Sequence, residues 1–245
     1  MPADASHRRL VRALVLADGD APDRAGLDAA WPGWDRGIDL VVGADAGALV
    51  AERLGLSLDL VVGDGDSAGE AELARLAAAG VAIDRSPANK DETDTELAIL
   101  AAVERGADEL TILGALGGPR IDHALANVAL LAHPALAGRR ATLLDGRARV
   151  RLIVAPDGSG QPVRHAIPGP VGDIVSLLPL AGTVSGITTH GFRYPLHDEA
   201  LPLGPARGMS NVRSAADATL AVRRGLLLVV EVPRASLLRS DDEHA

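Results

Sequence analysis

Two aspartates stand two residues apart at the close of the apolar run LDLVVGDGDSAGE (58–70), and a third closes the similar run IDLVVGADAGA (38–48). Side chains two apart on a strand leave on the same side, so Asp64 and Asp66 can converge on one point. Asp45 ends its own run in the same way. Carboxylates without histidine or thiolate company suit a hard cation such as Mg2+ better than zinc. Aspartate and glycine also make ordinary turns after strands, so each acid alone is a weak signal. A second acidic cluster lies in NKDETDTELAIL (89–100). Thr93 and Glu96 have capping-box spacing, which places Asp91 and Asp94 around a helix N-terminus, where charge and dipole alone favour acids. Beside them, Lys90 is the only lysine among 24 basic residues. A lysine is a compact point charge that approaches a phosphate or carboxylate where the guanidinium fork does not fit.

A third segment, GALGGPRIDHALANVALL (114–131), puts glycines between an expected strand and helix. Such glycines permit close backbone approach to a phosphate, and Arg120 has the fork to grip one. Asp122 opens the helix, with His123 and Asn127 one turn apart behind it. No segment has the spacing of a P-loop, and no G-x-G-x-x-G opens the first helix, which argues against P-loop nucleotidases and dinucleotide dehydrogenases. Carboxylates repel phosphate, so an acidic site for a polyphosphate requires a cation to invert the local sign.

The elements that must position these groups follow from periodicity. In the first half, the apolar runs at 12–18, 38–45, 58–66, 80–85, 109–115 and 140–146 alternate with stretches of three- and four-residue spacing. That alternation predicts βαβ units and a mainly parallel sheet, whose strand ends are the usual place for ligands. Beyond residue 146 glycine and proline become frequent and short runs such as DIVSLLPL, ATLAVRRG and LLLVVEV follow one another without long helices. The fold class expected is therefore α/β, with an N-terminal parallel-sheet domain over 1–147 and a smaller all-β sandwich over 148–245. The tail RSDDEHA is expected to fray. The net charge of −9 speaks against non-specific binding to nucleic acid or anionic membrane. There is no cysteine and no long apolar run, so neither disulfide nor membrane span is expected, and a cytoplasmic location is consistent.

Taken in order, ADAGA, GDGDS, KDETDTELAI, GALGGPRIDHALANVALL and GFRYPLHDEALPLGPARGMSN resemble the motif series of the thiamine pyrophosphokinase family over Leu14 to Val232. The resemblance implies transfer of a pyrophosphoryl group from ATP to the hydroxyl of thiamine, giving thiamine diphosphate and AMP, by a homodimer. It implies that Asp45, Asp64, Asp66 and Asp94 surround Mg2+ and phosphates, that Ser67, Lys90 and Arg120 meet ATP, and that Asp122 lies near the substrate. Asp66, Asp94 and Lys90 are the expected catalytic groups, with Asp66 or Asp94 accepting the hydroxyl proton. Ser210 and Asn211 match the C-terminal substrate motif, and Phe192 or Tyr194 could stack on a substrate ring. Two departures stand out: Pro119 intervenes between the paired glycines and Arg120, and Val212 occupies the place of the family's glutamate. The alternatives carried beside this reading are a related pyrophosphokinase acting on a hydroxymethyl pterin and a non-catalytic Mg-ATP sensor.

Overall fold

Short apolar runs that end in glycine or aspartate become five parallel strands of the computed structural model, which describes residues 8–87, 89–155 and 161–237. The expectation for the tail RSDDEHA lies outside the described residues. The chain divides into two units, one of Met1–Arg24 with Gly33–Ala141 and one of Ala25–Pro32 with Thr142–Ala245.

In the first unit, β1 (Arg12–Leu16), β2 (Leu40–Ala44), β3 (Leu60–Gly63), β4 (Ala82–Arg85) and β5 (Glu109–Leu113) pair in parallel in the order β4-β3-β2-β1-β5. Each strand lies where its apolar run predicts. Leu14, Val15 and Leu16 of β1, and Ile112 and Leu113 of β5, are fully buried. Each such side chain contributes about 1.5–3 kcal/mol of transfer free energy. Strand order reverses between β1 and β5, so the crevice at their carboxyl ends is the topological switch point where ligands bind in open α/β sheets. A short helix, α1 (Arg24–Ala30), precedes β2, and from Ala25 its residues belong to the second unit. The first unit's helices are α2 (Ala48–Arg53), α3 (Glu70–Ala78), α4 (Asp94–Glu104) and α5 (Ile121–Leu130). The hydroxyl of Thr93 accepts the backbone N–H of Glu96 at 3.2 Å, so α4 begins where the capping-box spacing puts it.

The second unit is antiparallel. Its strands are β6 (Arg140–Leu144, which enters this unit at Thr142), β7 (Arg149–Ala155), β8 (Val163–Ala166), β9 (Ile174–His190), β10 (Glu199–Leu201), β11 (Asn211–Val212), β12 (Thr219–Val222) and β13 (Arg224–Val232). The run RATLLDG becomes β6, and its residues Thr142–Leu144 also pair antiparallel with β7. A tight turn explains it: the N–H of Asp145 meets the carbonyl of Ala148 at 2.9 Å, and a two-residue connection can join only antiparallel neighbours. The run DIVSLLPL extends into the 17-residue β9, which pairs with β11 and most of β13 in its first part and with β10 and β12 in its second. Its register with β13 slips opposite Pro179 and Ala181, and irregularities of this kind let a strand bend. Val175 and Leu177 before the slip and Val184 and Ile187 after it share one buried cluster with Leu220, Leu227 and Val229.

Charge lies inside this unit as well. Glu231 accepts from Arg149 (3.0 and 2.8 Å), Arg151 (2.6 Å) and Arg213 (2.7 Å), and Arg213 also donates to Asp173 at 3.2 Å. Burial pushes the Glu231 carboxyl up, but the surrounding guanidinium groups, Arg149 foremost, pull it below its ordinary range. Among the described residues no helix is long and apolar enough to cross a membrane.

Candidate active site

The acids meet because β2 and β3 run side by side and end together. Asp45 follows β2 in a 3-10 turn, is 2% exposed, and has a left-handed backbone at φ 45°. Aspartate tolerates that region better than most side chains, and such strain concentrates at functional sites. Its two carboxylate oxygens accept the backbone N–H groups of Ser67 (3.0 Å) and Ala68 (3.1 Å), tying the loop after β3 to the end of β2. Within that loop the N–H of Asp66 donates to Asp64 Oδ1 at 3.1 Å, and the Ser67 hydroxyl donates to Asp66 Oδ1 at 3.1 Å. One carboxylate oxygen from each of Asp45, Asp64 and Asp66 lies within 4.8 Å of the others. Three hard oxygen donors at that spacing fit a cation of the Mg2+ type, with water and phosphate oxygens free to complete the shell.

Asp94, expected among the same ligands, stands at the start of α4 and is engaged differently. Its Oδ1 accepts from Lys90 Nζ at 2.5 Å, and Lys90 also donates to Ser86 Oγ at 2.8 Å. The lone lysine is 12% exposed and held from both sides. Gly63 makes the approach possible. A Cβ there would come within 3.0 Å of the Asp45 Cβ and 3.3 Å of Asp94 Oδ1, so only glycine lets the two acids flank the strand end.

Sequence reasoning missed Asp18, which closes β1 just as Asp45 closes β2. Its carboxyl is raised above the usual range by partial desolvation and by the negative charges of Asp45, Asp94 and Asp66. The signal was present, since LVLADGD ends an apolar run in acid like the other two. The loop it opens packs on the glycine loop after β5 at the switch point. A Cβ on Gly19 would lie 2.2 Å from the carbonyl oxygen of Gly114, so the contact is backbone against backbone. The N–H of Gly118 donates to Asp20 Oδ2 at 3.1 Å, and the buried Asn127 donates to the carbonyl of Ala115 at 3.0 Å. Asn127 therefore braces the glycine loop from within, while His123, one turn earlier, is exposed.

Arg120, at the N-cap of α5, folds back on Asp122 through two bonds of 2.9 and 2.5 Å, both side chains being exposed. The guanidinium holds the Asp122 carboxyl far below the usual carboxylate range. Asp122 takes two of the five N–H donors of that guanidinium, at Nε and Nη2, and the other three face no partner among the described residues, which leaves them for a phosphate.

In the second unit, Tyr194 and Asn211 line a cavity of about 80 Å³ with Leu177, Leu196, Arg207, Gly208 and Met209. Tyr194 is 54% exposed, whereas Phe192 is buried in the sandwich core. Ser210 has a left-handed backbone at φ 56°, and its N–H donates to Ser176 Oγ at 3.0 Å. Val212, in place of the expected glutamate, pairs with Ile174 through backbone and brings no charge to the cavity.

With this geometry in place, the family models decide the affiliation. Residues 34–143 match the model of the thiamin pyrophosphokinase catalytic domain, and residues 164–227 match that of the thiamin pyrophosphokinase vitamin B1 binding domain. The chain belongs to the thiamin pyrophosphokinase family. It is 28% identical over 191 residues to a thiamine pyrophosphokinase of Bacillus subtilis, covering 78% of this chain and 86% of that protein. Its structure is similar to the crystal structure of a Bacillus subtilis thiamine pyrophosphokinase, with a TM-score of 0.76 at 25% identity over 91% of this chain and 99% of the other. A thiamin pyrophosphokinase family protein from Enterococcus faecalis gives a TM-score of 0.74 at 28% identity, with 90% and 98% covered. Both domains of a thiamin pyrophosphokinase, the α/β catalytic part and the antiparallel B1-binding part, are thus present in the order the motifs imply.

Proposed function

We infer that this protein is a thiamine diphosphokinase, transferring the terminal pyrophosphoryl group of ATP to the hydroxyl of thiamine and releasing AMP. The observation that carries the reading is the convergence of Asp45, Asp64 and Asp66 at the strand ends of a matched catalytic domain that is followed by a matched B1-binding domain. The B1-binding match also leaves nothing in favour of a hydroxymethyl pterin as acceptor. A sensor without turnover has no use for a lysine held on an aspartate beside three converging acids.

Asp45, Asp64 and Asp66 would hold Mg2+, which supplies the positive charge that lets a triphosphate approach an acidic site and stabilises charge on its bridging oxygens. Lys90 directs a point charge into the same space from its seat on Ser86 and Asp94. Arg120 offers a phosphate the N–H donors that Asp122 leaves free, and Ser67 offers its hydroxyl. The thiamine hydroxyl attacks the β-phosphorus in line, the bond from that phosphorus to the α-phosphate bridging oxygen breaks, and AMP leaves. The hydroxyl proton passes to a carboxylate. Asp94 already binds Lys90, whereas among the described residues the Asp66 carboxylate accepts only from Ser67, which favours Asp66. Tyr194, Ser210 and Asn211 would meet thiamine, a reading supported by their place in and beside the second unit's cavity. The reading extends to a homodimer in the cytoplasm, supported by the motif resemblance and by the absence of cysteine from the chain.

The products test the reaction. Incubation with thiamine, ATP and Mg2+ should give AMP and thiamine diphosphate in equal amounts on chromatography, without free thiamine monophosphate. ADP with thiamine monophosphate would refute the bond cleavage, and no turnover of thiamine would refute the function.

A further inference from the structure

We propose that Asn211 is a positioning residue, which fixes Tyr194 as the aromatic wall of the thiamine cavity and acts on the substrate only through that ring. The proposal rests on the thiamine reading above. Asn211 sits in the motif whose resemblance suggests direct substrate contact, yet its amide is committed elsewhere. Its Oδ1 accepts the backbone N–H of Tyr194 at 3.0 Å and that of Val212 at 2.9 Å, which uses both lone pairs. Its Nδ2 donates to the carbonyl of Tyr194 at 2.7 Å. Both peptide groups of one residue are therefore bound by one side chain, the pattern a neighbouring strand would provide.

The surroundings extend that pattern. Phe192 forms an antiparallel bridge with Arg213, and the N–H of Arg193 donates to the carbonyl of Val212 at 2.8 Å, so residues 192–194 run against 211–213. Backbone pairing ends at Arg193, and the Asn211 side chain carries it one residue further, to Tyr194. Asn211 is itself anchored, pairing with Val175 of β9 next to the Ser210 N–H bonded to Ser176.

What is held so firmly is an exposed ring. Tyr194 is the only tyrosine of the chain, and its neighbour Phe192, not Tyr194, fills the core. The Arg193 guanidinium lies 5.6 Å from the ring centroid, and Tyr194 is among the residues lining the cavity. With the peptide groups on both sides of its Cα pinned, the ring keeps little freedom beyond its own side-chain torsions, so stacking on a substrate ring loses less entropy. A π-face also attracts a cationic ring, as the thiazolium of thiamine is.

A double-mutant cycle on the full-length protein tests this, with thiamine titrated calorimetrically without ATP into the parent, Asn211→Ala, Tyr194→Ala and the double variant. Asn211→Ala and Tyr194→Ala are each expected to weaken thiamine about tenfold, the scale of one lost hydrogen-bonded contact. The double variant should be no weaker than Tyr194→Ala alone. Under turnover the KM for thiamine should rise in Asn211→Ala while kcat and the KM for ATP stay within about twofold, because the cavity belongs to the second unit. Asn211→Asp keeps both accepted bonds but turns a carboxylate oxygen on the Tyr194 carbonyl in place of the donated bond, so its loss should be at least that of Asn211→Ala. If Asn211→Ala does not fold, Asn211→Asp carries the cycle under the same criterion. Losses that multiply in the double variant, or unchanged thiamine affinity in the single one, would overturn the proposal. A parent that binds no thiamine would overturn it by removing the reading beneath it, a failure distinct from a parent that binds with uncoupled residues.

Discussion

Asp66 and Lys90 carry the sharpest consequences at the scale of single residues. Asp66 is the exposed member of the three converging acids, with one oxygen taken by the Ser67 hydroxyl. Asp66→Asn keeps its size and removes its charge. It should fold like the parent and lose at least about 10²-fold in kcat, the scale of removing one preorganised charge-stabilising group. Parent-like turnover at saturating Mg2+ would take Asp66 out of the site. Lys90 is nearly buried between Ser86 and Asp94, with contacts of 2.8 and 2.5 Å that leave no width for a planar fork. Lys90→Arg keeps the charge and should still cost about tenfold or more in kcat/KM for ATP. Kinetics equal to the parent's would mean that charge alone is needed there.

At the scale of elements, the site depends on two loops that touch through backbone. The loop after β1 and the loop after β5 meet where Gly19 faces the carbonyl of Gly114 with no room for a Cβ. Gly19→Ala must push the loops apart, with a cost of about 1–3 kcal/mol of the kind seen for overpacking. The Gly118 to Asp20 bond spans the same contact, so the glycine loop should loosen as well. The expected result is a lower Tm together with weaker binding of ATP, read by thermal melting and nucleotide titration on the same preparation. A lower Tm with unchanged nucleotide affinity would separate the loop contact from the site.

At the scale of the whole molecule, the second unit buries a charge network of its own. Glu231 is 1% exposed and joined to three arginines, of which Arg213 is equally buried. Glu231→Gln leaves those cations with a neutral partner, and breaking a buried pair from one side typically costs about 3–5 kcal/mol. Its folded carboxyl lies below the ordinary 4.5, so the stabilisation is complete at neutral pH and is lost as pH falls below that value. In denaturant titrations the parent and Glu231→Gln should therefore differ most near pH 7 and converge in acid. A difference that stays constant down to pH 3 would show that shape, not charge, sets the contribution of this residue.

Much of this protein is written locally. Apolar runs ending in Asp45 and in Asp64 and Asp66 specify strands, turns and the facing of the acids, because alternation and turn chemistry act over a few residues. The Thr93 cap places α4 for the same reason. Other features depend on which distant segments meet. Asp18 joins the acids only because β1 pairs with β2 and β5, a choice of strand order that no local pattern encodes. The antiparallel pairing of β6 and the length of β9 follow from partner strands, since an alternating run fits either direction. Asn211 is 17 residues from Tyr194, and its spacing carries no hint that its amide would close on that residue's backbone. Short-range sterics and hydrogen bonding settle which residues can be acids at strand ends. Long-range packing, which must satisfy every buried donor and acceptor at once, settles which of them share a site and which hold their neighbours in place.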